Sequence, residues 1–587
     1  MKRIYLAAVT IVLMVAGVSC SKSFLDTKPQ GVITESGLQS QQFVEAALIG
    51  AYGLMNGNIS GTWGNYSSAP SQWLFAEVGG DNAHKGSDYT DQGFMNDIEG
   101  HQVTSVNDQI PTMWTNYFEG VLRCNSTLSL LNTLQSSSST QKFASVRATQ
   151  IQAEARMLRA HYYFYLRRVF GPKIPYVDET LTTVQAGKVA NDSDIYPKIV
   201  ADLQFANANL PQDYSKPLGD VGRSDKYAAE AYLAKVYLYG TNEGIDSKYA
   251  QALALFKDVI TRKGNLTNMM FQNNFNVKTK NGTECIFTVQ DVINPDGSGD
   301  NANVGDMLSG FYGSAPASCC GFFLASIDLV NAFKVDANGL PLLDGSYRTN
   351  PYTSDLANPS SSYKLDTTIA FDPRLDYTVG RRGVQYRDWG VMPGNGWIRN
   401  ATTGSPFVNY KNMVNEADFG SYTVPGTPYL TAQNVNIIRL SDVYLMAAEC
   451  AVETNDLSDA LTWVNAVRNR AATLPAALTA SGHPAAAYKV KPYLSFPSQD
   501  YARTAVRFER RLELALEGQR FFDLVRWGIA KTTLESYHNF EKNYTAAASG
   551  SGVSSYSFDA SKDSHMPIPQ QEIDRGGGVL KPNGYGH

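Results

Sequence analysis

Small and apolar residues recur at three- and four-residue steps over several stretches of this chain, a spacing that gathers them on one face of a helix. Ile151, Ala155, Leu158, Tyr162, Tyr165 and Val169 predict a helix over 150–170, ended sharply by Gly171-Pro172. Further helices are predicted over 41–55, 194–210, 223–239 and 248–260. In the last two, Ala228, Ala231, Leu233, Ala234 and Tyr237 put small residues where one helix must approach another. Tyr249, Ala252 and Phe256 then line one face of the next helix.

That pairing resembles the tetratricopeptide repeat. It returns over 437–453, with Val443, Tyr444, Ala447, Ala448 and Ala451, followed after Asn455-Asp456 by a helix over 457–470. One such unit cannot bury its apolar stripe alone, so several must stack, in an array either interrupted or assembled from both halves of the chain. Between the two pairs the chain is rich in Gly, Pro, Asn, Asp and Tyr, which predicts long loops, short strands such as 285–290 and a helix over 327–333. Loops of that length are usually functional or disordered, and their aromatic content argues for function. After Gly528 the pattern turns mostly irregular, with no helix at the end. The organisation expected is a leader over 1–19, a tether over 20–40, a helical-repeat region over 41–263, a loop-rich ligand-binding region over 264–436, a second helical-repeat region over 437–540 and an irregular segment over 541–587.

Charge and length narrow the function. At 587 residues the chain exceeds the usual single-core limit of about 250–300, so stacked or multiple lobes are expected. A net charge of −5 with no basic run argues against nucleic acid as partner. Lys2 and Arg3 precede a stretch over 4–18 that is apolar but for Tyr5 and Thr10, shorter than the roughly 20 residues a spanning helix needs, and it reads as a secretory signal. It ends at Gly17-Val18-Ser19-Cys20, which resembles a bacterial lipobox, although Gly17 stands where Leu is preferred. Cleavage there makes Cys20 an acylated N-terminus, and two or more acyl chains anchor a protein stably; the alternative is plain secretion with Cys20 an incidental thiol. Five other cysteines are no disulfide framework. Cys124 and Cys450 fall within helical patterns as small hydrophobes. Cys319 and Cys320 are adjacent, and both free thiols and a vicinal bridge that stiffens its loop remain open.

The chain as a whole resembles the SusD/RagB family. The resemblance rests on Phe24-Leu25-Asp26-Thr27-Lys28-Pro29, Ala153-Glu154-Ala155-Arg156 with Leu158-Arg159-Ala160, Tyr162-Tyr163 and Phe170-Gly171-Pro172 before Ile174-Pro175. It continues through Phe371-Asp372-Pro373-Arg374-Leu375, Arg439-Leu440-Ser441-Asp442-Val443-Tyr444-Leu445, Ala448-Glu449 and Val467-Arg468. It ends with Glu509-Arg510-Arg511-Leu512-Glu513-Leu514, Glu517-Gly518, Arg520-Phe521-Phe522-Asp523-Leu524 and Pro567-Ile568-Pro569-Gln570 with Glu572-Ile573. The resemblance implies a mainly α fold, with a tetratricopeptide-like scaffold of about four helix pairs and a loop-rich α+β lobe bearing the ligand site. It also implies a lipid-anchored outer-membrane protein facing the cell surface, which captures an oligosaccharide, or in some members a peptide, for a SusC-like TonB-dependent transporter. Ser21-Lys22-Ser23 stands where surface-exposed members often carry acidic residues, so outward display rests on the family pattern. The charges in Arg439-Leu440-Ser441-Asp442 and Glu509-Arg510-Arg511 sit beside apolar stripes and are expected to pair between helices, since unpaired buried charge is costly.

A sugar presents hydroxyls at its rim and weakly polar C–H faces, so its site wants flat aromatic platforms edged by Asn, Asp, Gln or Arg. Three stretches carry that combination: Asp81, Asn82, Asp88, Tyr89, Asp91 and Gln92; Tyr312 and Phe322; and Tyr386, Trp389, Trp397 and Arg399. Loop packing is the alternative for each aromatic, and convergence of the three stretches on one site is the expectation to test. There is no His-Glu-x-x-His, Gly-x-Ser-x-Gly or phosphate loop, and nothing selects a carboxylate pair, so neither catalysis nor a cofactor is expected. Asp296, Ser298 and Asp300 alternate oxygen ligands as a calcium loop does, but Met307 replaces the bidentate Glu; a solvated turn is the preferred reading and calcium the alternative. A repeat adaptor without a small ligand, and a hydrolase, are the rival functions.

Overall fold

The computed structural model describes residues 39–59, 64–212, 221–313, 319–356, 361–402, 404–545 and 557–587; the leader, Cys20 and the 24–29 motif lie outside them. In the first half the long helices of the described residues stand in succession. They are α1 (Gln41–Gly53), α2 (Ile110–Ser136), α3 (Ser145–Phe170), α4 (Tyr196–Asn209), α5 (Lys226–Asn242) and α6 (Tyr249–Lys263). Side-chain caps set two of the starts: Ser40 accepts from the Phe43 amide, and Asp225 accepts from that of Ala228 at 2.8 Å. Each helix packs on the next, from α1 through α6. Small residues allow the approach. A Cβ on Gly120 of α2 would lie 2.5 Å from the Tyr162 ring of α3, and one on Gly240 of α5 would lie 2.4 Å from the ring of Tyr196.

The sequence reading sets Cys124 in a helical pattern but gives helix α2 no bounds, although Met113, Tyr117, Val121, Leu128 and Leu131 are buried with it at helical steps. Asn116 and Asn125 are also buried in it, and such polar interior positions blur an apolar count. Asn116 donates to Ser68 Oγ at 2.7 Å and to Asn65 Oδ1 at 3.0 Å, which is how its burial is tolerated.

The middle of the chain is loops joined by short strands: β1 (Ala83–Gly86), β2 (Cys285–Val289), β3 (Phe322–Ala325) and α7 (Ile327–Ala332), then β4 (Ala370–Phe371), β5 (Val379–Gly380), β6 (Val408–Asn409), β7 (Thr423–Val424), β8 (Thr427–Thr431) and β9 (Val435–Arg439). With β10 (Ala487–Tyr488), these pair two by two. The pairs that matter below are β1 with β3, antiparallel with Ala83 opposite Ala325 and Gly86 opposite Phe322, and β2 with β9. Strand β9 takes up 437–439, where the periodicity predicted helix. The chain turns helical only at α8 (Leu440–Glu453), followed by α9 (Leu457–Ala471), α10 (Gln499–Leu514), α11 (Arg520–Arg526) and α12 (Ala530–Glu541). Helix α12 departs from the mostly irregular pattern read after Gly528, although it falls in the stretch over 437–540 expected to be helical-repeat. Its buried face is Leu534, Tyr537, His538 and Glu541, half of it polar, so an apolar count does not find it.

Helix α6 packs on α8, so the repeat pair α5–α6 is continued in space by α8–α9. Lys257 of α6 reaches Asp459 of α9 at 2.6 Å and lies over the Trp463 ring at 5.5 Å. The array is therefore assembled from both halves of the chain, and the loop lobe is an insertion between them. Among the described residues no helix is long and apolar enough to cross a membrane. Cys124 and Cys450 are buried free thiols, and Cys319 and Cys320 form a vicinal disulfide.

The charges of the family motifs pair inside the molecule. Glu513 of α10 is enclosed by Arg374 of the loop lobe at 3.0 Å, Arg439 at the end of β9 at 2.7 Å, and Arg470 at the end of α9. Arg374 also holds Asp372 and Glu509 at 2.7 Å each, and Arg468 holds Glu509 at 2.7 Å. Burial works against the charge on Glu513, but the three guanidiniums outweigh it and hold this carboxyl well below the usual range.

A second buried pairing ties β1 to the C-terminal helices. His84 Nδ1 lies 2.7 Å from Glu99, and Nε2 lies 3.3 Å from Glu541 of α12, all three groups being buried. Burial alone would lower the His84 pKa, but hydrogen bonds to Glu541 and Glu99 win and raise it to about 10. A folded pKa above the unfolded value of about 6.5 means stability present below pH 6.5 and lost as pH rises through about 10. Buried Lys85, Lys235 and Lys411, drawn down to about 8, pull the other way, so the test is a difference. His84→Asn should be less stable than wild type at pH 6.5, and that gap in denaturant unfolding should narrow steadily toward pH 10. A gap independent of pH would contradict the assignment.

Candidate functional site

Lys85 organises the first of the three candidate stretches. Its side chain is almost fully buried at the end of β1, and its ammonium donates to the carbonyls of Asp88 at 2.8 Å and Asp91 at 2.6 Å, with Tyr89 at 3.4 Å. Those bonds wrap the 87–91 turn around one cation. Burial pulls the Lys85 pKa down to about 8, against the opposing pull of Glu99, Asp91 and Asp88. The turn is closed by Ser87, whose hydroxyl donates to Asp91 Oδ2 at 2.9 Å, and by Asp88, which accepts from the Thr90 amide at 3.0 Å and hydroxyl at 2.8 Å. Tyr89 is half-buried, and Gln92 takes a left-handed backbone with its amide oxygen 3.5 Å from Gln109 Nε2.

The other two stretches are carried to this turn by backbone hydrogen bonds. The Ser87 amide donates to the Gly321 carbonyl at 2.6 Å, extending the β1–β3 pairing. The Gly321 amide donates to Gly310 at 2.9 Å, and the Tyr312 amide to the Trp397 carbonyl at 3.0 Å. The result places Arg399 against the first stretch: its guanidinium reaches Asp91 Oδ2 at 2.5 Å and Ser87 Oγ at 3.0 Å, and lies 5.1 Å from the centre of the Tyr312 ring. Tyr312 is 40% exposed. Asp91 and Arg399 each leave about a third of the side chain in solvent, so their pair is worth only about 0–1 kcal/mol and can be exchanged for a ligand's groups. The three stretches thus meet, and the residues at the junction are Asp91, Tyr312 and Arg399, with Ser87 between them.

Several sequence candidates serve packing instead, and these are corrections. Asp81 is fully buried, with its oxygens held by Arg520 at 2.5 and 2.9 Å and by Arg511 at 3.2 Å. Asn82 donates to Glu77 at 2.8 Å and accepts from Arg511 at 3.0 Å. A polar Gly-Gly-Asp-Asn run reads as a surface loop only because its arginine partners lie more than 400 residues away. Phe322 is buried edge-on to Trp73 at 6.5 Å, beneath the Lys85 ammonium. Tyr386 and Trp397 are buried in a small aromatic core with Phe311, which stacks on Trp397 at 4.8 Å; Tyr386 spends its hydroxyl on the Asn409 carbonyl at 2.6 Å. Trp389 is half-buried, bonded through Nε1 to the Val414 carbonyl at 2.9 Å and edge-on to Phe419 at 4.6 Å. These rings shape the third stretch from beneath.

Phe94, 45% exposed two residues beyond Gln92, is an aromatic that the sequence reading passed over. Its one signal there was position beside the polar turn. In the calcium candidate, Asp296 accepts from the Ser298 amide at 2.8 Å, and Ser298 Oγ accepts from Asn294 at 2.8 Å, which closes a solvated turn. Asp300 is exposed, and among the described residues no group of three His, Cys, Asp or Glu side chains gathers as a metal would need.

Comparison with known proteins agrees with this architecture. A family model described as the SusD family matches residues 283–585, and one described as starch-binding, associating with outer membrane, matches residues 23–238. A SusD-like protein of Bacteroides ovatus is 25% identical over 539 residues, 90% of this chain and 83% of that protein. SusD-like protein P2 of Formosa agariphila is 24% identical over 592 residues, 98% of each chain. Among solved structures, a laminarin-binding SusD-like protein superposes with a TM-score of 0.63 at 24% identity, covering 93% of this chain and 99% of its own. Surface glycan-binding protein A from Bacteroides thetaiotaomicron, in complex with laminarihexaose, gives 0.62 at 19% identity over 93% and 100%. Such identities establish the shared fold.

If Lys85 holds the 87–91 turn, Lys85→Met leaves three carbonyls without their common donor. Losing about 1 kcal/mol of local hydrogen bonding should speed amide exchange at 87–92 by roughly fivefold, with global unfolding much less affected. Unchanged exchange in that segment would show that the turn is held by other contacts.

Proposed function

The chain belongs to the SusD family, and on that premise we propose that it is a surface glycan-binding protein whose ligand site is the junction of the 87–92, 311–313 and 397–399 segments. The observation that carries the reading is the exposed Tyr312 ring with Arg399 over it and Asp91 and Ser87 at its edge. A flat ring offers a sugar its C–H face, while a guanidinium donates to hydroxyl oxygens and a carboxylate accepts from hydroxyl protons. On this reading the protein captures its ligand without transforming it. The names of similar proteins support it, since they speak of laminarin, laminarihexaose and starch binding.

Location and delivery complete the proposal. The N-terminal match describes proteins associating with the outer membrane, and Cys20 after its apolar leader supplies the anchor. The glycan held at the junction passes to a SusC-like TonB-dependent transporter in the same membrane. With a few contacts of about 1 kcal/mol each, affinity in the micromolar to millimolar range is expected.

The test is calorimetric titration of leader-free protein with laminarihexaose, maltohexaose and a panel of neutral oligosaccharides, beside a peptide panel and an assay for product release. At least one neutral oligosaccharide should bind, and Tyr312→Ala and Arg399→Ala should each weaken it about tenfold, a loss of about 1.4 kcal/mol. Binding of peptides alone, release of cleaved sugar, or unchanged affinity in both variants would overturn the reading.

A further inference from the structure

A second cleft lies at the other end of the strand that carries the glycan turn. It encloses about 450 Å³ between α10, α11, α12 and the loop ending at Arg348, within the range of small-molecule sites. Four guanidiniums line it: Arg348, Arg507, Arg511 and Arg520. Two carboxylates answer them. Asp81 takes Arg520 and Arg511, and Asp328 takes Arg511 at 2.7 Å and Arg348 at 2.5 Å. Arg507 is left over. Among the described residues it makes no hydrogen bond or ion pair, and its Nε is buried without an acceptor. The Trp527 ring lies 4.8 Å from its guanidinium carbon.

The neighbours of Arg507 do not supply the missing charge. Glu449 is held by Arg526 at 2.6 Å and by Trp527 Nε1 at 2.8 Å, and Glu453 by Arg503 at 2.6 Å. Each nearby carboxylate thus arrives with its own cation. A half-buried guanidinium with an unused donor is a cost that an incoming anion relieves, and a guanidinium fork suits the two oxygens of a carboxylate or sulfate. Phe508, half-buried, adds a flat apolar wall to the same cleft, whereas the buried Trp527 ring is covered by the guanidiniums of Arg507 and Arg526 at 4.8 Å each.

We propose that this cleft binds a carboxylate- or sulfate-bearing sugar, with the acidic group on Arg507 and the ring against Phe508. The site is separate from the Tyr312 junction: Asp81 stands in its wall before β1, whereas Ser87 and Asp91 follow β1 at the glycan turn. Each reading can therefore fail alone.

The experiment titrates leader-free protein with sodium glucuronate, glucose 6-sulfate and glucose, followed by calorimetry and thermal shift. The acidic sugars should bind and stabilise while glucose does not, and Arg507→Gln should weaken them about tenfold. The same variant should leave neutral-glycan binding at the Tyr312 junction unchanged, which separates loss of the site from loss of fold. Three results would overturn the proposal. They are no binding of either acidic sugar at concentrations on the order of 10 mM, equal binding by Arg507→Gln, and binding of an acidic hexapeptide without binding of the acidic sugars.

Discussion

The structure depends on one buried carboxylate. Glu513 sits without solvent contact inside three arginines that come from three parts of the chain: Arg374 from the loop lobe, Arg439 from the end of β9 and Arg470 from the end of α9. A charge taken out of water must be matched there, and stranding one partner of such a pair costs about 3–5 kcal/mol. The requirement is geometric as well as energetic, because the three guanidiniums can meet only if lobe, strand and helix are assembled together.

Helix α10 spreads this constraint through the molecule. Successive helical residues point about 100° apart, so neighbours in the motif face different partners. Arg510 faces Asp442 of α8 at 2.8 Å and Asp523 of α11 at 3.1 Å. Arg511 turns to Asp81 and Asp328, fixing the approach to β1 and the start of α7. Glu513 takes Arg374 of the lobe together with Arg439 of β9 and Arg470 of α9. One turn of helix thus locks the repeat array, the base of the 87–91 turn and the inserted lobe. Strand β1 leaves Asp81 in this locked frame and delivers Ser87 and Asp91 to the surface, while β3 and the buried rings of Phe311 and Trp397 bring Tyr312 and Arg399 to meet them. The junction of Ser87, Asp91, Tyr312 and Arg399 therefore rests on a buried, ion-paired base.

Much of the frame could be read from the residues. Periodicity finds α3, α5, α6, α8 and α9 because their buried faces are dominated by Ala, Leu, Val and aromatics. It sets no bounds on α2 and does not single out α12, whose buried faces include Asn116, Asn125, His538 and Glu541. The pairing of Arg439 and of Glu509-Arg510-Arg511 between elements was legible from charge set beside apolar stripes, though the partners were not. The site was harder. Asp91, Tyr312 and Arg399 were among the candidates and do meet, whereas Asp81 and Asn82, in the same polar run, point inward. The difference between Asp81 and Asp91 is the presence of Arg511 and Arg520 at the first, and no local pattern records a partner that distant. For Tyr386 and Trp397, likewise, exposure is decided by Phe311 and Asn409 from other loops.

Hydrogen exchange with and without a bound oligosaccharide tests the central claim most directly, since it reports which backbone the ligand covers. Saturation with a neutral oligosaccharide identified by titration should slow exchange together at 87–92, 310–313 and 397–399, and leave α8 to α10 unchanged. Protection confined to the helical array, or found at only one of the three segments, would contradict the account.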